Sequence, residues 1–170
     1  MPGGAYNVLF LCTKNAARSV IAEAIVNRNG HGRFQAFSAG VAPASQVRPE
    51  VVELLKRMQF NAEAAYTKSL NEFAQSGPPP MDFVFTLCDE TAERSCPMWP
   101  GQSITALWPI TDPCGEEKDA GERATACAET YRELNNRLSV FMTLPVERLD
   151  ALSLRDGLGR SGGDSGLLMH

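Results

Sequence analysis

Asn7-Val-Leu-Phe-Leu-Cys12-Thr-Lys-Asn-Ala-Ala-Arg18-Ser19 is the stretch that decides the fold. Its first six residues form a run rich in strand formers with no polar alternation, the mark of a strand buried on both faces in a parallel sheet. The polar segment from Thr13 to Ser19 reads as a turn. Val20 to Arg28 then places Ile21, Ala24, Ile25 and Arg28 at helical spacing, with Gly30 as the stop. The segment is therefore strand, turn, helix.

The same alternation continues along the chain. Phe34 to Ser38 is a short strand closed by Ala39-Gly40, and Pro49 to Phe60 is an amphipathic helix built on Val51, Val52, Leu54, Leu55 and Met58. Ser76-Gly-Pro-Pro-Pro80 interrupts the pattern but is no domain linker, because an apolar strand, Phe83 to Leu87, follows at once. A weaker strand is expected from Ile104 to Trp108. Ala124, Cys127, Tyr131, Leu134, Leu138 and Phe141 recur at helical intervals and predict one long helix over Asp119 to Met142. Strands alternating with helices imply right-handed crossovers and a parallel sheet with helices on both faces, an α/β fold in a single domain over 1–150. Residues 151–170 are rich in Gly and Ser and are expected to be a disordered tail. In such sheets ligands bind beyond the carboxyl ends of the strands. Cys12, Ser38, Cys88 and the loop from Trp108 to Asp112 all fall there.

Composition narrows the function. A chain of 170 residues with 44% hydrophobic content can bury a core as one domain, and a net charge of −4 argues against a nucleic-acid partner. The longest apolar runs are too short for a bilayer and no secretory signal is evident, so a cytoplasmic monomer without membrane association is expected. The five cysteines, Cys12, Cys88, Cys96, Cys114 and Cys127, are an odd number with no CxxC spacing, and His31 and His170 lie outside any cysteine cluster. Neither a disulfide scaffold nor a zinc site fits; reduced, partly reactive thiols do.

The Cys-x5-Arg segment has its own chemistry. Backbone N–H groups of Thr13, Lys14, Asn15, Ala16 and Ala17 can converge as an anion nest, and the following helix adds its unpaired N–H groups and dipole. Arg18 supplies a planar fork for two oxygens of phosphate or arsenate. The same field favours the Cys12 thiolate, to which Ser19 can donate a hydrogen bond. For a lone Cys-x5-Arg, a buried strand-end cysteine and a surface arginine would be the better reading; the flanking strand and helix favour the chemistry.

These residues resemble the low-molecular-weight protein tyrosine phosphatase superfamily, and most of all the arsenate reductases on that fold. The resemblance rests on Val8-Leu-Phe-Leu-Cys-Thr-x-Asn-x-x-Arg-Ser19, Phe37-Ser-Ala-Gly40, Thr86-Leu-Cys-Asp89, Cys96-Pro97 and Asp112-Pro113. It implies a four-stranded parallel sheet, Cys12 as nucleophile, Arg18 as oxyanion clamp and Asp112 as general acid. A carboxylic acid opposite the nucleophile can protonate the departing oxygen, although Asp-Pro is also a common turn initiator.

Two enzymatic outcomes share the first step. A phosphatase hydrolyses its phosphocysteine with water. An arsenate reductase needs further thiols, leaving a disulfide that an external reductant clears. By resemblance to the reductases, Cys88 resolves Cys12 and Cys96 then pairs with Cys88, recycled by thioredoxin or by glutaredoxin with glutathione and with no tightly bound cofactor. An inert strand-end Cys88 and a bystander Cys96 are the alternatives. Cys127 falls on an apolar helix face and reads as core. Ala17 stands where phosphatases of this kind carry a second cysteine, and Cys114-Gly115 lacks their aromatic residues, so a small inorganic oxyanion is favoured. A non-enzymatic oxyanion sensor is a third reading.

Departures from the pattern bear on efficiency. Lys14 replaces a usual Gly, at a cost of about 1 kcal/mol if a left-handed backbone is required there. Ala16 replaces a usual Ser, and Leu107 a His. Asn15, Glu23 and Ser38 match positions that in some thioredoxin-coupled relatives support the loop and a potassium ion, so the resemblance makes them candidate potassium ligands. A glutamate inside a helix is otherwise a solvated residue.

Overall fold

A computed structural model describes residues 6–15, 17–30, 32–40, 42, 44–61, 67–69, 81–87, 104–110, 113 and 118–143. The elements run β1 (Tyr6–Cys12), α1 (Arg18–Asn29), β2 (Phe34–Gly40), α2 (Pro49–Arg57), β3 (Phe83–Thr86), β4 (Ile104–Leu107) and α3 (Ala120–Thr143). The four strands form one sheet in the order β2-β1-β3-β4. Every pairing is parallel, as the alternation of strands and helices requires. The strand with the most continuous apolar run, β1, is central.

The two-residue period of the strands sorts their side chains between two layers. Val8, Phe10 and Cys12 of β1 point with Phe34, Ala36, Phe83 and Phe85 into the main core. There they meet Ile21 and Ile25 of α1, Val51, Leu54 and Leu55 of α2, and Leu134, Leu138 and Phe141 of α3. Phe85 stacks on Phe10 with ring centres 5.5 Å apart, and meets Trp108 at 4.5 Å and Phe141 edge-on at 5.1 Å. Each such fully buried aromatic contributes about 2–3 kcal/mol of burial free energy. Cys127 is fully buried in the same cluster, the core role its spacing predicts.

Leu9, Leu11, Ala39 and Val84 face the other way and are equally buried. All three described helices belong to the first face, so helices on both faces are not seen among the described residues. Met81 and Phe37 join that second cluster; the 151–170 tail and the Ser76–Pro80 break lie outside the described residues. Among the described residues no helix is long and apolar enough to cross a membrane.

Helix ends follow local chemistry. Asp119 and Glu122 form a reciprocal capping box at the start of α3, with 2.8 Å and 2.9 Å side-chain to backbone hydrogen bonds. Pro49 opens α2, and Gln59 closes it with φ at +64°, letting the Phe60 N–H return to the Leu55 carbonyl. The helix therefore ends at Arg57, short of the expected Phe60. At the opposite end of α2, Arg123 of α3 pairs with Glu50 at 3.0 Å, and Arg48 lies 3.6 Å from the same carboxylate. Burial alone pushes the Glu50 carboxyl up, but the hydrogen bond from Arg123 and the charges of Arg123 and Arg48 outweigh it and hold the group below its ordinary range.

A carboxyl depressed in the folded state adds stability above its unfolded pKa, and that stability is lost as pH falls through the folded value. Glu50→Gln is therefore expected to cost about 1 kcal/mol at pH 7, or about 2–4 °C in Tm. The difference should close below about pH 4, as the wild-type carboxyl takes up its proton. Parallel melting curves for the two proteins from pH 7 to pH 3 check this; a gap that does not narrow as pH falls would contradict it.

Candidate active site

The site begins where β1 runs out. Cys12 is its last residue, 1% exposed, and faces the loop that leads into α1. The Thr13 carbonyl accepts the Ala42 N–H and the Lys14 carbonyl accepts the Ala44 N–H, each at 2.9 Å. In a planar trans peptide the carbonyl and the following N–H point oppositely, so the amides of Lys14 and Asn15 turn toward the loop interior. The Asn15 amide accordingly donates to Cys12 Sγ at 3.3 Å. This is the inward-pointing backbone of an anion nest.

Asn15 rather than Lys14 adopts the left-handed backbone, with φ at +49°. The strain expected at Lys14 is thus absent, because the loop turns one residue later. Asparagine tolerates that conformation better than most side chains. Lys14 is exposed, with its charge at the rim. Gly40, which pairs in register with Cys12, answers the same crowding. A Cβ there would lie 2.7 Å from the Thr13 oxygen and 2.9 Å from the Asn15 nitrogen.

Ser19 sits 3.0 Å from Cys12 Sγ. Its oxygen accepts the Asn15 side-chain amide at 2.7 Å, which leaves the hydroxyl hydrogen for the sulfur. The sulfur thus receives two hydrogen-bond donors, one from a side chain and one from the backbone. α1 begins at Arg18, within the segment expected to be all turn, so the loop passes directly into helical N–H groups. Ala17 caps the helix with no side-chain bond, and the first turn holds no acidic residue. Nothing from α1 itself competes for an anion there.

Arg18 is 3% exposed and reaches across the sheet edge. Its Nη1 donates to the Ile110 carbonyl at 2.9 Å and to the Leu87 carbonyl at 3.4 Å. Leu87 immediately precedes Cys88, and Ile110 lies two residues before Asp112. The Leu87 N–H is bonded to Leu11 of β1 and the Ile110 N–H to Leu87. The ends of β1, β3 and β4 therefore converge on one arginine. Cys12, Thr13, Lys14, Asn15, Ala17, Arg18 and Ser19 are brought together. Ala16, Cys88, Cys96, Asp112 and Cys114 lie outside the described residues.

Behind the loop is a second polar layer. Ser38, fully buried at the end of β2, donates its hydroxyl to Glu23 of α1. Glu23 also pairs with Lys68 Nζ at 3.4 Å, and the Lys68 backbone N–H donates to the Asn15 side-chain oxygen at 2.6 Å. Glu23 is thus no freely solvated helix residue. Lys68 Nζ stands beside the Glu23 carboxylate expected to help hold a potassium ion, so a second cation there would meet a like charge, and with Lys68 in place the residues do not fit the ion. Sequence reasoning missed Lys68. Among the described residues its segment meets the sheet through a one-residue bridge, Gly40 to Ser69, which leaves no periodic signal.

The chain matches the family of low molecular weight phosphotyrosine protein phosphatases over residues 7–151, and it belongs to that family. An arsenate reductase of Bacillus subtilis (strain 168) is 26% identical over 134 residues, covering 79% of this chain and 93% of the relative. The solved arsenate reductase of Archaeoglobus fulgidus is 30% identical with a TM-score of 0.60, over 78% of this chain and 98% of that one. A thioredoxin-dependent arsenate reductase of Corynebacterium glutamicum is 28% identical with a TM-score of 0.59, over 83% of this chain. This chain spans 62% of that longer one.

Proposed function

We propose that the protein reduces arsenate to arsenite in a reducing cytoplasm, with Cys12 as nucleophile. The observation that carries the reading is the Cys12 sulfur, held by the Ser19 hydroxyl and the Asn15 amide beside the uncapped start of α1. Such a sulfur is placed to attack the centre of an oxyanion that the loop amides and the Arg18 guanidinium bind. The arsenate reductases among the relatives support arsenic over a phosphate ester.

In this reading Cys12 displaces the hydroxyl of hydrogen arsenate, which takes a proton from Asp112 and leaves as water. The adduct is a Cys12 thioester of arsenic(V). The Cys88 thiolate then attacks Cys12 Sγ; the sulfur–arsenic bond breaks, its electron pair stays with arsenic, and arsenite departs. A Cys12–Cys88 disulfide holds the two-electron oxidation. Cys96 moves the disulfide to Cys88–Cys96, and thioredoxin, the reductant named for the C. glutamicum relative, supplies two thiols that restore the enzyme. Glutaredoxin with glutathione is the other candidate reductant. The Leu87 carbonyl on Arg18, one residue before Cys88, supports a resolving thiol at this edge.

Cys88→Ser is expected to form the Cys12 adduct of arsenic(V) but to release arsenite about 10²-fold or more slowly than the wild type with either reductant. Mass spectrometry of the wild type after arsenate should find a Cys12–Cys88 or Cys88–Cys96 bond. Multiple turnover unchanged in Cys88→Ser removes the resolving role. The phosphatase reading is favoured by the family itself. Steady hydrolysis of an aryl phosphate, unaltered in Cys88→Ser and absent in Cys12→Ser, would establish it instead.

A further inference from the structure

Lys68 touches the anion loop with both its backbone and its side chain. The backbone N–H holds the Asn15 side-chain oxygen at 2.6 Å, and the backbone carbonyl accepts the Gly40 N–H at 2.9 Å. The side chain is 7% exposed and ends 3.4 Å from Glu23 Oε1. That carboxylate also receives the Ser38 hydroxyl. Glu23 lies one helical turn beyond Ser19, the residue that Asn15 and Cys12 share.

We propose that the Lys68 ammonium is the fixed cation of this loop, standing in for a bound metal ion, and that it positions Asn15 and through it the Cys12 sulfur. A partly buried carboxylate is stabilised by a counter-charge, and Glu23 has one supplied covalently by the chain. With Lys68 in place a second cation beside Glu23 would meet a like charge only a few ångströms away. Holding the ammonium on Glu23 also fixes the backbone of Lys68. The Asn15 carboxamide is then clamped between Lys68 and Ser19, and its strained backbone amide stays on the sulfur. Lys68 is a positioning residue, since it reaches the sulfur only through Asn15. This inference rests on the anion loop and not on the identity of the substrate.

The test uses the full chain, its Lys68→Met and Lys68→Arg variants, and carboxymethylation of Cys12 by iodoacetate, followed by mass spectrometry of the Cys12 peptide. Methionine keeps the buried stem and removes the charge. Reactions and melting curves are run in potassium, sodium and N-methylglucamine chlorides at matched ionic strength. The wild type should react and melt alike in all three. Lys68→Met should react roughly tenfold more slowly in sodium or N-methylglucamine, the size of effect that loss of an outer supporting partner produces. Potassium should restore much of that rate and raise its Tm, and Lys68→Arg should stay within about threefold of the wild type.

A wild type that is faster or more stable in potassium overturns the proposal, because the protein then still recruits the ion. So does a Lys68→Met protein that reacts at the wild-type rate. A slow Lys68→Met that no cation improves, with Lys68→Arg equally slow, reduces Lys68 to packing and also overturns it. None of these readouts uses arsenate. If arsenate reduction fails while they hold, only the substrate assignment falls.

Discussion

Cys12→Ser should abolish arsenate turnover, by about 10⁴-fold or more, the scale on which enzymes lose activity when their nucleophile is removed. The serine hydroxyl fits the same place beside Ser19 but is a far weaker nucleophile at neutral pH, and nothing in the loop is arranged to take its proton. The substitution removes little volume from a fully buried position, so stability should change by no more than about 1–2 kcal/mol. Oxyanion binding should survive, because the amides and Arg18 are untouched. Single-turnover assays, equilibrium dialysis with arsenate and a urea titration separate these three quantities. Turnover within tenfold of the wild type would remove Cys12 from the chemistry.

Arg18→Lys is expected to have the next largest effect, about 10²–10³-fold in kcat/KM for arsenate. The positive charge is kept, so a purely electrostatic account would forecast a small loss. The geometry says otherwise. Nη1 serves the carbonyls of both Ile110 and Leu87, a shared geometry that the planar guanidinium sets. A lysine ammonium has three hydrogens around one nitrogen and cannot span two strand ends and a ligand together. The carbonyls left short of a donor should also cost about 1–3 kcal/mol of stability. A kinetic effect below fivefold would mean that charge, not shape, is what the site uses.

Much of the fold could be read in advance because its strands are buried on both faces. Val8 to Leu11 and Phe83 to Phe85 are continuous apolar runs, and such runs between helical patterns leave few alternatives to a parallel sheet. Cys12, Ser19 and Arg18 were legible for the same reason: they are local to one strand, one turn and one helix. What escaped depends on contacts distant in sequence. The pairing of Glu23 with Lys68, and of Lys68 with Asn15, joins residues whose own neighbourhoods carry no pattern. The position of the left-handed residue escaped as well. Lys14 drew attention because a side chain had replaced a glycine, yet φ at Asn15 is set by where the Thr13 and Lys14 carbonyls find the Ala42 and Ala44 amides.

Gly40 gives the loop an unusual evolutionary constraint. Cys12 and this glycine sit side by side across neighbouring strands, and the bare α-carbon is what lets the turn above them fold down. Random drift can explore the exposed position 14 with little penalty to the backbone. At position 40 even a methyl group must lift the turn and carry the sulfur's amide donor away with it. A glycine closing the strand beside the one that Cys12 closes is therefore as much a part of the pocket's backbone as the loop itself.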